Sequence, residues 1–157
     1  MHRRAKKLLV AGLSGLAVML LIAQLKAVEH TNPSSNHDVD APPQVQLILR
    51  RACYDCHSNE TRWPWYSRFA PVSSLVVHDV EIGRKEINFS EWGSYYPAVR
   101  TRKLQWMERS LHKEAMPPWR YRLMHPGARL TDADRAVLEK WIESEIAQRN
   151  TKPGRAD

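Results

Sequence analysis

Hydrophobic residues fall along this chain in three regimes. Leu8 to Leu25 is an unbroken uncharged run of 18 residues (LLVAGLSGLAVMLLIAQL), preceded by Arg3, Arg4, Lys6 and Lys7. At about 1.5 Å per residue it makes a helix roughly 27 Å long, close to the hydrocarbon thickness of a bilayer. Residues 28–43 (VEHTNPSSNHDVDAPP) have three prolines and no apolar period, which predicts a flexible linker with His30 and His37 in solvent. From Gln44 the period becomes helical. Val45, Ile48, Leu49 and Ala52 predict a helix over 44–52. Leu75, Val76, Val80 and Ile82 predict one over Val72–Ile87, opened by Pro71, and Leu104, Met107 and Leu111 predict another over Ala98–Lys113. A last helix is expected from Thr131 as N-cap, with Asp132 and Asp134 in its first turn and Val137, Leu138, Trp141, Ile142 and Ile146 behind them. No segment alternates long enough to make a strand. The expected fold class is all-α, in three parts: an N-terminal membrane segment (1–27), a linker (28–43) and one folded domain (44–157).

Charge changes the picture less than its total suggests. The 24 Lys and Arg against 17 Asp and Glu give +7, a value that by itself points toward nucleic acid or a membrane surface. Five of the basic residues, Arg3, Arg4, Lys6, Lys7 and Lys26, flank the apolar run. Setting them aside leaves nineteen basic residues against seventeen acidic, which argues against a nucleic-acid partner. The basic flank instead predicts that the N-terminus stays in the cytoplasm and the rest is exported. The competing reading is a cleaved signal peptide, for which Leu25-Lys26-Ala27 is the only passable cleavage site. All 13 aromatic residues follow position 50, so the exported part can build a core.

Two cysteines carry the most specific chemistry. Cys53-Tyr54-Asp55-Cys56-His57 is C-x-x-C-H, the attachment pattern for c-type haem. Each thiol adds across one vinyl group, and the adjacent histidine supplies the proximal imidazole to iron. Three rivals are weaker. A thioredoxin-like motif is expected after a strand, and here the approach is helical. A structural zinc site needs a second pair of ligands, and a Cys53–Cys56 disulfide would close a very small loop. Met116, in a Lys113–Trp119 segment with Pro117 and Pro118, is the expected sixth ligand. Its alternative is a core gap-filler, the usual role of methionine. Met124 and His78 are the next candidates, Met107 is expected in the core, and His112 and His125 at the surface. Arg62, Arg68, Arg84 and Arg120 are candidates to pair with the propionates.

Cys53–Ser67 (CYDCHSNETRWPWYS), Ala70–Ser73 (APVS), Asn88–Tyr95 (NFSEWGSY), Met116–Trp119 (MPPW) and His125–Thr131 (HPGARLT) together resemble the bacterial haem-binding domain family of small c-type cytochromes. The resemblance covers about Pro42 to Ile146. It implies that Cys53, Cys56 and His57 hold the haem and that the methionine before proline is Met116. Ala115 departs from the family pattern, which has Gly before that methionine. The expectation is a class I cytochrome c-like domain around one covalently bound haem c, tethered by a transmembrane helix at the periplasmic side of the bacterial inner membrane. It would transfer single electrons to redox partners that the sequence does not name, and would not itself be an enzyme. The alternative is a haem-based sensor or gas-binding module with an open sixth position. A peroxidase is a third possibility, although no distal acid–base pair is recognisable and one C-x-x-C-H does not make a di-haem enzyme of this chain alone.

Overall fold

Four of the helix starts coincide with prolines. The computed structural model describes residues 2–25 and 28–151, which form α1 (His2–Gln24), α2 (Pro43–Ala52), α3 (Tyr54–His57), α4 (Val72–Glu86), α5 (Pro97–His112), α6 (Trp119–Met124) and α7 (Asp132–Thr151). Short 3-10 turns lie at Trp65–Arg68, Phe89–Ser94 and Pro126–Ala128, and there is no strand among the described residues. α2 and α5 carry proline in the first turn, where its missing N–H has no intrahelical acceptor to lose. α4 and α6 follow Pro71 and Pro118. The all-α class and the main helix positions agree with the hydrophobic pattern to within one residue at the prolines. α6 is too short to have shown a period.

The core sits where α2, α5 and α7 meet. Val45, Ile48, Leu49 and Ala52, spaced for one helical face, are all buried. Val45, Ile48 and Leu49 join Leu104, Met107 and Leu111 of α5 and Leu138, Trp141 and Ile142 of α7, while α3 packs on α4. Leu49, Leu104, Leu138 and Ile142 have no exposed surface. Each contributes about 1.5–3 kcal/mol relative to exposure. The helix before the cysteines thus packs near the C-terminal helix. α1 stands apart from this core, exposed along its length, and is long and apolar enough to cross a membrane.

The segment read as a flexible linker has no regular structure before α2 begins at Pro43, yet it is folded onto the domain. Val39 and Ala41 are buried in the core. The Val39 N–H donates to Phe89 O (2.9 Å), and the Gly93 N–H donates to His37 O (2.8 Å). His30, expected in solvent, stacks on Trp63 with ring centroids 4.4 Å apart. Single apolar anchors in a polar run leave no period, so this packing could not be seen in the pattern.

α7 begins with a reciprocal cap. Asp134 Oδ2 accepts from both the Thr131 N–H and hydroxyl (2.8 Å each), and the Asp134 N–H donates to Thr131 Oγ1 (3.1 Å). The same carboxylate pairs with Arg51 at 2.8 Å, tying α7 to the end of α2 just before the cysteines. Burial pushes the Asp134 pKa up, but the Thr131 N–H, Arg51 and the Thr131 hydroxyl outweigh it and hold the group below the usual carboxylate range. Thr131→Ala is therefore expected to lower stability by about 1 kcal/mol near neutral pH in chemical denaturation. Because the folded pKa is depressed, this stabilisation is complete above the unfolded value of about 3.9 and is lost as pH falls through the folded one. The difference between wild type and variant should shrink over that acid range.

Candidate functional site

α2 runs directly into the cysteine motif. The Cys53 N–H donates to Leu49 O (2.8 Å), and the Cys56 and His57 N–H groups donate back to Cys53 O (3.1 and 2.9 Å). The two-residue spacer is thus one helical turn, and Cys53, Cys56 and His57 all line a cavity of about 510 Å³. That volume is within the range of about 300–1,000 Å³ typical of small-molecule and cofactor sites. Its walls are mostly apolar, with Val76, Ile87, Phe89, Trp106 and Leu111 among them. Leu75 and Ile82, which the α4 pattern offered to the core, are 41% and 44% exposed and line the cavity as well.

The position of α4 depends on Gly83. A Cβ there would lie 2.4 Å from Cys56 O and 2.9 Å from its carbonyl carbon, a distance no side chain tolerates. The same residue accepts from His57: Nδ1 lies 2.8 Å from Gly83 O and 3.2 Å from Ile87 O. Both partners are carbonyls, so Nδ1 carries the proton and Nε2 is left with its lone pair. Burial lowers the His57 pKa more than the two backbone carbonyls raise it, which keeps the ring neutral. Burial also pushes both thiols up, Cys53 and Cys56 each to about 12. They are protonated at neutral pH and do not have the activated thiolate of a thioredoxin-like site.

Asp55, inside the motif, is buried and fully engaged. Arg62 grips it with Nε on Oδ1 (3.0 Å) and Nη2 on Oδ2 (3.2 Å), and the Tyr121 hydroxyl donates to Oδ2 (2.6 Å). Burial and that hydrogen bond raise the Tyr121 pKa, so the phenol stays a donor. The contact joins the cysteine turn to α6, across the loop that carries Met116. Arg84 is equally committed, to Ser58 O, Thr31 O, Asn32 Oδ1 and Thr61 Oγ1. Of the four arginines considered for propionates, Arg62 and Arg84 therefore serve the protein itself. Arg68 sits in a different pocket beside Gln24, and Arg120 lines the main cavity.

Met116 reaches the cavity through a helix stop. The Ala115 N–H donates to Ser110 O and the Glu114 N–H to Leu111 O (3.0 Å each), the paired bonds of a Schellman cap at the end of α5. Glu114 occupies the left-handed position at φ 50°, where glycine is usual. The chain turns sharply there, and half-buried Met116 and buried Pro117 follow against the cavity. Met124 and His78 line the same cavity, both more exposed than Met116. Met107 is buried in the core, as expected, and also touches the cavity. His112 is exposed, but His125, expected at the surface, is half-buried, lines the cavity and stacks on Tyr121 at 4.2 Å. Sequence reasoning missed Gly83, Asp55 and Tyr121. An isolated glycine inside the α4 period and an acid between two cysteines were the available signals, and Tyr121 offered none.

Comparison with known proteins agrees with this geometry. The sequence model of the family described as "Haem-binding domain" matches residues 17–144. The chain belongs to the haem-binding domain family. This haem-binding domain is also 23% identical over 159 residues to the cytochrome c peroxidase of Escherichia coli (strain K12), an alignment covering 93% of this chain and 34% of that protein. The chain thus spans about a third of the length of the curated relative it matches. No solved structure matches. The residues fit the cofactor on their own chemistry, with two thiols and an open imidazole nitrogen on one wall and thioethers on the loop and α6.

The close approach at residue 83 sets a test. Gly83→Ala gains about 1 kcal/mol of helix propensity but must push α4 off Cys56, an overpacking cost of about 1–3 kcal/mol. A net loss of stability is expected in denaturation, with an altered haem spectrum because the acceptor of His57 moves. Gly127→Ala, where an added Cβ meets nothing within 4 Å, should be close to neutral.

Proposed function

We propose that this haem-binding domain is a monohaem c-type cytochrome, built like a class I cytochrome c and held on the periplasmic face of the bacterial inner membrane by α1, which passes single electrons. The observation that carries the reading is the convergence of Cys53, Cys56, the open Nε2 of His57 and Met116 on one apolar cavity. Haem, when bound, supplies a one-electron iron couple. Cys53 and Cys56 would each add an S–H across a vinyl group, sulfur to one carbon and hydrogen to the other. His57 would ligate through Nε2, with Gly83 and Ile87 fixing the ring by its other nitrogen. Met116 would take the sixth position, a soft ligand that favours the ferrous state and raises the potential. Arg120 is the arginine best disposed toward a propionate.

Similarity to a protein named cytochrome c peroxidase favours a second reading, in which the sixth position opens and the domain reduces peroxide. A gas-binding sensor shares that open position. Spectra with and without carbon monoxide separate these from electron transfer: low-spin iron that ignores carbon monoxide supports the cytochrome, and high-spin, carbon monoxide-binding iron supports the others.

Two outcomes follow from the cytochrome reading. Protein produced with a cytochrome c maturation system should keep its haem stain on a denaturing gel, and haem extracted by acid-acetone would refute covalent attachment. Met116→Ala should lower the potential and admit carbon monoxide, whereas Met116→His should lower it while the iron stays low-spin. If Met116→Ala changes neither spectrum nor potential, the sixth ligand is another residue of the cavity, with Met124 and His78 next.

A further inference from the structure

Trp65 and Phe69 are large, adjacent and unexplained by the haem cavity. They are 72% and 54% exposed, their rings lie 6.2 Å apart, and neither lines the cavity, unlike the exposed apolar residues of α4 nearby. Neither burial in the core nor the lining of the cavity accounts for them. Their location supplies a reason. The Gln24 side chain, in the last turn of α1, clasps the backbone of Ala70 from both sides: Nε2 donates to Ala70 O and the Ala70 N–H donates to Oε1, each at 3.0 Å. Residue 70 is therefore held level with the end of the uncharged helix, 46 positions earlier in the chain.

We infer that Trp65 and Phe69 insert into the lipid headgroup region beside the exit of α1, docking the haem domain flat on the bilayer surface. This rests on the reading of α1 as a membrane span. A span that ends near Gln24 puts Ala70 at the boundary between hydrocarbon and headgroups, a layer roughly 5–8 Å thick on each side. The 3-10 turn Trp65–Arg68 advances only about 2 Å per residue and the extended Phe69 that follows about 3.3 Å, so Trp65 lies within about 13 Å of Ala70 along the chain. Tryptophan and phenylalanine with an exposed apolar face suit that layer. Arg68 sits between them in sequence and borders a small pocket with Gln24, Ser67 and Ser73, so a cation faces the level of the lipid phosphates. Two hydrogen bonds and two aromatic anchors on one side of the domain would hold the haem at a fixed height rather than on a free tether.

The test uses the full haem-loaded chain in liposomes of phosphatidylcholine and phosphatidylglycerol doped with a phospholipid carrying a diazirine near the top of one acyl chain. Illumination followed by peptide mass spectrometry should give lipid adducts on α1 and on residues 63–72. The Trp65→Ser/Phe69→Ser variant should lose the second set to background while keeping the first, with an unchanged haem spectrum as evidence of folding. Adducts on α1 alone in the wild type overturn the docking and leave the anchor reading standing. Absence of adducts from α1 as well overturns both. Equal labelling of residues 63–72 in wild type and variant also overturns the assignment to these two side chains.

Discussion

The van der Waals contact between Gly83 of α4 and the carbonyl of Cys56 is the constraint on which the cavity depends. Only a residue without Cβ lets the two backbones approach this closely, and the approach brings the Gly83 carbonyl within 2.8 Å of His57 Nδ1. One contact therefore sets three things: the distance of α4 from the cysteine turn, the tautomer of the imidazole and the direction of its free lone pair. The apolar face of α4 then has nowhere to go but the cavity, which is why Leu75 and Ile82 remain uncovered while Val80 is buried.

Polar groups around this contact are satisfied by the protein before any cofactor is considered. Asp55 takes Arg62 and Tyr121, and Arg84 takes four oxygens from the segments on either side of the motif. Hydrogen bonds to charged groups contribute about 1.5–3 kcal/mol each when buried, and leaving one partner unpaired there costs more. The consequence is a rigid frame whose interior stays apolar. In such an interior the thiols remain protonated and the imidazole neutral, the states that the proposed thioether formation and iron ligation would require. Asp55 and Tyr121 also join the cysteine turn to α6, just beyond the Met116 loop, so a side-chain hydrogen bond ties the two walls of the cavity together.

Departures from sequence expectation have a common physical origin. Residues 28–43 carry isolated anchors, Val39, Ala41 and the His30 ring, that find partners supplied by Phe89, Trp63 and the core. His125, expected at the surface, is drawn inward by the tyrosine one helical turn earlier. α6, at six residues, is held by its place beside the cysteine turn rather than by any periodicity.

The amino-acid sequence by itself determined the helical class, the long helices and their buried faces, and the C-x-x-C-H motif of Cys53, Cys56 and His57 on which the proposed haem attachment rests. Each rests on local rules: hydrophobic period, proline and cap placement, and a covalent motif whose spacing is its own explanation. Tertiary structure alone decided which of those pieces face one another. It brought Gly83 under His57, Tyr121 to Asp55, Gln24 to Ala70, and Met116, Met124 and His78 to a single cavity. These are pairings between residues up to 66 positions apart, set by close packing of helices. No local preference encodes the distance between two backbones, and that distance is what makes the site.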